Sequence, residues 1–80
     1  MTLLLLGPRQ TGRVRGIRLA VSEAGWVRAV GIFEGESVQV LRRAAFGGPL
    51  HVRTGCGGEF AIDRRLAACI DVEPASGGAP

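Results

Sequence analysis

Residues 31–43, GIFEGESVQVLRR, combine a turn, a strand and a charged pair in one short stretch. Gly31 and Gly35 frame the turn, because glycine adopts backbone conformations that other residues avoid. Val38 and Val40 then follow with the period-two spacing of a strand that buries one face. The stretch ends on two adjacent arginines, which raises the question of whether it is framework or binding surface.

Four further stretches alternate in the same way and are separated by turn-forming residues such as the Gly-Gly-Pro cluster at 47–49. A short helix is predicted to start at Ser22 and to end at Gly31, and Asp63 is expected to cap a single helical turn. The predicted strands are residues 12–17, 37–43, 50–53, 59–62 and 70–73.

The totals favour one small β domain. Eighty residues bury only a small core, 46% of them are apolar, and thirteen are glycine, which argues against a helical bundle. The expected fold is all-β, a small barrel of about five strands with one short helix. The barrel is assigned to residues 1–74, and residues 75–80 are expected to form a mobile C-terminal tail.

The charge pattern raises a nucleic-acid alternative. The formal net charge is +3, and all ten basic residues are arginine. These arginines are spread along the chain, and the aromatic residues do not alternate with them as they would on a base-stacking surface. A solvated basic face is therefore the favoured interpretation, with a small nucleic-acid-binding barrel as the alternative.

The N-terminal apolar run is short. It covers only Leu3 to Leu6 before Gly7-Pro8, whereas a secretory signal needs an apolar stretch of about 7–15 residues and a membrane span needs about 20. We expect a cytoplasmic protein whose N-terminal arm lies against the core.

The residues that could support chemistry are few. His51, Cys56 and Asp63 are the candidates for a nucleophilic site, and no phosphate-binding glycine motif is present, so we expect no enzyme and no catalytic residues. His51, Cys56, Glu59 and Cys69 are weak candidates for metal ligands, because they lack the close pairs of a structural zinc site. We expect reduced, structural cysteines, a buried thiol in the 54–58 hairpin, and no cofactor.

A protein-binding surface is the better interpretation of the paired arginines. Arg42 and Arg43 enter a loop that contains Phe46 and Pro49, which places charge beside an apolar anchor. We expect these four residues, together with Val27 of the helix, to contact a partner. Whether Phe46 instead folds back into the core stays open at this point.

The order of these features resembles one family over residues 3–73. The matching elements are Gly12-x-Val14, Gly31-Ile32-x-x-Gly35, Val38-x-Val40 with Arg42-Arg43, Phe46-Gly47-x-Pro49-Leu50, and Ala61-Ile62-x-Arg64-x-x-Ala67-x-x-Ile70-x-Val72. Together they resemble the FeoA family, ferrous iron transport protein A. The chain departs from the family at Arg9, Glu34 and Ala45, where glycine, proline and proline are usual.

The resemblance implies an SH3-like β-barrel that assists bacterial ferrous iron uptake. Its implied partner is the cytoplasmic G-protein domain of the membrane transporter FeoB, with self-association as a further expectation. A second alternative is the C-terminal SH3-like module of a metal-dependent repressor. That function needs a winged DNA-binding domain in the same chain, for which eighty residues leave no room.

Overall fold

The computed structural model describes residues 1–75. The strands are β1 (Thr11–Ile17), β2 (Ser37–Arg43), β3 (Leu50–Thr54), β4 (Glu59–Ile62) and β5 (Ile70–Pro74), the helices are α1 (Val21–Ala29) and α2 (Arg64–Ala67), and a 3-10 turn covers Leu3–Leu5. All five predicted strands are present. Except for residue 75, the predicted mobile tail lies outside the described residues.

The five strands form one antiparallel sheet in the order β4-β3-β2-β1-β5. Two bulges interrupt its registers, at Arg15 between β1 and β5 and at Leu41 between β2 and β3. A bulge bends its strand and increases the local twist, which helps a single sheet to curl around its own core. The architecture is the predicted all-β, SH3-like barrel.

Helix α1 ends where the sequence predicts. Gly31 has a φ of +111°, and the amides of Gly31 and Ile32 donate to the carbonyls of Arg28 and Val27, a Schellman ending. The helix begins at Val21, one residue before the predicted Ser22, and its N-cap residue is Ala20, which offers no capping side chain. Packing of Ala24 and Val27 into the core, rather than a cap, therefore holds the helix.

The N-terminal arm, residues 1–6, is part of the barrel. Leu3 and Leu6 are completely buried, as the sequence predicts for an arm that lies against the core. The Met1 carbonyl accepts from the Val72 amide at 2.8 Å, and a β-bridge joins Thr2 to Asp71. The arm thus covers the outer edge of β5.

The core lies inside the curled sheet and is closed by the arm and the two helices. Val38 and Val40 of the opening stretch are buried, which confirms the face predicted from their spacing. Asp63 also behaves as predicted, because its carboxylate accepts from the Arg65 amide at 3.0 Å at the start of α2.

Candidate partner-binding site

The bulge at Leu41 sends the two adjacent arginines in different directions. Beyond the bulge, Arg42 stands opposite His51 and Arg43 stands opposite Leu50, whose side chain is buried. Arg42 is exposed on the outer face of the sheet, beside the half-buried His51. Because neighbouring residues of a strand face opposite sides, Arg43 lies on the inner face instead, where the N-terminal arm packs.

Arg43 binds the N-terminal arm. Its guanidinium donates to the carbonyl oxygens of Leu4 and Leu6, the latter at 3.0 Å. These two carbonyls belong to the 3-10 turn and the residue after it, where backbone acceptors lack helical partners. The side chain predicted to contact a partner is therefore engaged within the chain, where it fixes the arm to β2.

Arg42 remains available. Five arginines form ion pairs with carboxylates at 2.6–3.5 Å, whereas Arg42 has neither a carboxylate nor a carbonyl partner among residues 1–75. An unpaired guanidinium on a strand offers five donors to a planar acceptor such as a carboxylate. Of the two arginines, Arg42 is the one that can make a new charged contact.

Phe46 lies at the tip of the loop between β2 and β3. Its relative exposure is 106%, so the alternative that it folds into the core is wrong. Its φ is +59°, a left-handed conformation that costs a non-glycine residue about 1–2 kcal/mol. The loop is closed beneath it by the Ala44 amide, which donates to the Pro49 carbonyl at 3.0 Å.

The predicted surface of five residues thus loses Arg43 and Val27 and keeps three. Arg42, Phe46 and Pro49 are exposed at one junction of strand and loop. Val27 is completely buried in the core, so its placement on the partner surface is corrected. The three-residue spacing of Val27 and Val30 marks the face of α1 that packs on the barrel, not a face that is free to bind a partner.

Of the candidate metal ligands, Glu59 lies near His51, whereas Cys56 contacts Glu36. Glu59 accepts two hydrogen bonds from Arg53, at 2.8 and 3.1 Å, and lies 4.0 Å from His51. The hydrogen bonds from Arg53 lower the pKa of Glu59. Cys56 donates instead to Glu36 at 3.2 Å. Within residues 1–75, no three side chains of the ligand types come together as a metal site.

The cysteines and the nucleophile candidates also differ from expectation. Cys56 is exposed in the glycine hairpin, so the expected buried thiol is corrected, and Cys69 is half-buried. Both are free thiols. Asp63 is engaged as the α2 cap and Cys56 with Glu36, so neither of them orients His51.

Sequence reasoning missed one exposed apolar surface. Trp26 of α1 meets Phe60 of β4 edge-on, with ring centroids 6.1 Å apart, and Trp26 is 46% exposed. The pair lies at the open end of the sheet beside β4. The available signal was the position of Trp26 one residue before the core residue Val27, at the border of the buried face of α1.

No helix among residues 1–75 is long and apolar enough to cross a membrane. No curated protein sequence matches the chain.

Solved structures similar to this chain include several FeoA proteins. A crystal structure of iron uptake regulatory protein (FeoA) is 28% identical, with a TM-score of 0.85, over 94% of this chain and 97% of that chain. FeoA of Chlorobium tepidum is 25% identical, with a TM-score of 0.89, over 96% and 72%. FeoA of Stenotrophomonas maltophilia, a prokaryotic SH3-domain protein complexed with zinc, is 27% identical, with a TM-score of 0.77, over 91% and 89%.

A manganese-dependent transcriptional repressor shares the fold, with 24% identity and a TM-score of 0.84 over 94% of this chain and 36% of that chain. The family model of the FeoA domain matches residues 1–74, which include the strained loop, the arm and all five strands. The chain therefore belongs to the FeoA family, and its role is related to ferrous iron transport.

Proposed function

We propose that this protein is a cytoplasmic accessory protein of bacterial ferrous iron uptake that binds the cytoplasmic G-protein domain of a FeoB-type membrane transporter and catalyses no reaction itself. The observation that carries the proposal is the display of Phe46, fully exposed in a left-handed backbone conformation. Strain of this kind persists where the surrounding structure imposes it, and it is concentrated at functional sites.

The chemistry of the surface indicates what it would recognise. Phe46 and Pro49 offer a rigid apolar anchor, and the unpaired Arg42 stands at the strand end that enters the same loop. Aromatic and arginine side chains dominate the energetic centres of protein interfaces. The fitting partner surface has an apolar pocket with a carboxylate at its border.

The relatives are consistent with this assignment. The FeoA of Stenotrophomonas maltophilia has been proposed as a bacterial ferrous iron transport activating factor, which is a role in assisting a transporter. The nucleic-acid alternative is less well supported, because carboxylates or backbone carbonyls occupy seven arginines, namely Arg13, Arg15, Arg18, Arg28, Arg43, Arg53 and Arg65.

The test is the affinity for the purified cytoplasmic domain of the transporter. The double variant Arg42→Glu, Phe46→Ala is expected to weaken binding at least about tenfold. The control Arg15→Glu, Val21→Ala makes the same change in charge and a smaller apolar truncation at exposed positions of β1 and α1, outside the loop between β2 and β3. It should bind as wild type does. Equal loss in both variants, or in neither, would contradict the proposed surface.

A single substitution separates binding from stability. Phe46→Gly removes the left-handed strain and should raise the free energy of unfolding by about 1 kcal/mol. The same variant should bind the transporter domain more weakly, since the anchor is gone. A variant that is more stable and binds equally well would show that Phe46 is not part of the contact.

A further inference from the structure

The outer edge of β4 has free backbone groups at Glu59 and Ala61. The Thr54 amide donates to the Gly58 carbonyl at 2.9 Å, which makes Thr54 and Gly58 a hydrogen-bonded pair of the β3–β4 hairpin. Hydrogen-bonded and non-hydrogen-bonded pairs alternate along an antiparallel ladder, so Phe60 and Ile62 bond to β3. The amides and carbonyls of Glu59 and Ala61 therefore point away from the sheet.

Apolar surface lies along the inner side of this edge. Phe60 is half-buried against the core, and the exposed Trp26 ring extends the apolar surface beyond it. A strand added to β4 would cover both rings. Unpaired edges that carry exposed apolar side chains are surfaces for strand addition.

On the outer face of the sheet, a row of side chains runs inward from the β4 edge. Ala61 stands beside His51 on β3, and His51 stands beside Arg42 on β2, so these three residues form a row across the sheet. The row presents an imidazole and an unpaired guanidinium next to the small Ala61 side chain. A carboxylate placed opposite Ala61 would complement this row.

We propose that the edge pairs with β4 of a second copy of this chain, antiparallel and centred on Phe60. Three registers would join the free backbone groups. In the first register, Glu59 stands opposite Glu59 of the second copy, so like charges face each other. In the second register, Ala61 stands opposite Ala61, and Glu59 then faces Asp63, again a pair of like charges. Only the register centred on Phe60 avoids both, and it places Glu59 of each copy opposite Ala61 of the other, beside the His51–Arg42 row.

The same register joins the apolar surfaces. The two Phe60 residues stand directly opposite each other as a non-hydrogen-bonded pair, the closer kind of pair in an antiparallel ladder. Two four-residue strands bury much less than the roughly 1,600 Å² of a standard stable interface. The dimer is therefore reversible and requires high protein concentration. Arg42 borders both this pairing and the surface proposed for the transporter, whereas Glu59, Phe60 and Ala61 lie outside that surface.

Sedimentation equilibrium over a range of protein concentrations tests the pairing. Wild type should show a reversible monomer–dimer equilibrium. Ala61→Pro should be monomeric, because proline removes the outward amide and leaves the β3–β4 ladder complete. The matched variant Ala61→Ser retains the amide and should dimerise as wild type does. A monomeric wild type, or Ala61→Pro dimers as tight as those of wild type, would overturn the proposal.

Two charge variants test the register without proline. Ala61→Glu places a carboxylate opposite Glu59 in both halves of the dimer and should raise its dissociation constant about fivefold, whereas Ala61→Arg should lower it. Both variants keep the backbone amide and lie at an exposed position, so folding should be unaffected. Equal dissociation constants for the two variants, or the opposite order, would rule out the register centred on Phe60.

Discussion

The two end strands of the sheet are treated differently. The outer edge of β5 is covered by the chain's own arm, through Met1 and Thr2, whereas β4 presents free backbone groups beside Trp26. Arg43 binds the arm that covers the β5 edge. Its neighbour Arg42 has no such partner and lies beside β3, on the side toward β4. The difference shows how one charged pair can serve both framework and surface.

The largest expected effect comes from loosening the covered edge. Leu6→Ala should lower the free energy of unfolding by about 2–5 kcal/mol, because Leu6 is completely buried and its removal leaves a cavity. Denaturant unfolding measures the change. Leu5→Ala is the matched control, because Leu5 in the same arm is 63% exposed, and it should change stability by less than about 0.5 kcal/mol. Similar losses in both variants would mean that the arm has no preferred buried face.

Gly31 tests what holds Trp26 at the open edge. A Cβ at Gly31 would lie 2.9 Å from the Thr54 hydroxyl oxygen, and its φ is positive. Gly31→Ala should therefore destabilise by about 1–3 kcal/mol and loosen the end of α1. Gly25→Ala, inside α1 with no atom within 4 Å of the added Cβ, should stabilise by about 1 kcal/mol. Thermal unfolding of both variants checks the pair, and the same sign for both would contradict this interpretation.

Arg43 tests the link between the arm and β2. Arg43→Gln should cost about 1–2 kcal/mol, because it weakens the charged hydrogen bonds to the carbonyls of Leu4 and Leu6. Hydrogen exchange at the Val72 amide, which donates to Met1, should accelerate. Arg42→Gln is the matched control and should leave both quantities unchanged. Faster exchange in the control would show that Arg42 also supports the arm.

The smallest effect is the response of the two edges to acid. Hydrogen bonds from Arg18 lower the pKa of Asp71 beside the arm, and those from Arg53 lower the pKa of Glu59 on β4. A carboxylate with a lowered folded-state pKa stabilises the fold above its ordinary value, 3.8 for Asp71 and 4.5 for Glu59, and this contribution is lost as pH falls through the lowered pKa.

Both pairs are exposed, so each contribution is small. The urea midpoint measured against pH should decline less steeply in acid for Arg18→Gln and for Arg53→Gln than for wild type. Sodium chloride should reduce the same slope by screening. A decline that neither variant alters would assign the acid response to other carboxylates.

The local pattern predicts the elements well. Alternation placed the ends of all five strands within one residue, and the positive φ that Gly31 allows ended α1 where expected. Asp63 was recognised as a cap because capping depends on residues two or three positions away. These features depend on near neighbours in sequence, which is why they are visible without a structure.

The different roles of Arg42 and Arg43 were not predictable in this way, because near neighbours in sequence do not determine which of the two binds the arm. These roles depend on the bulge at Leu41, which is a property of the register between β2 and β3. The carbonyls that Arg43 binds lie 37 and 39 residues away in sequence. Val27 was misplaced for a related reason, since a hydrophobic residue on a short helix can face a core or a partner until the sheet beneath it is known.

The pairing of Met1 with Val72 also constrains how the protein is made. These residues are 71 positions apart, so the arm leaves the ribosome well before its backbone partner does. Leu3 and Leu6 therefore cannot reach their buried positions beside β5 until that strand has been synthesised. Contacts of such long sequence separation slow folding, because a large loop has to close before they form. The barrel should consequently close only after β5 has been synthesised, and the apolar arm stays unpaired until then.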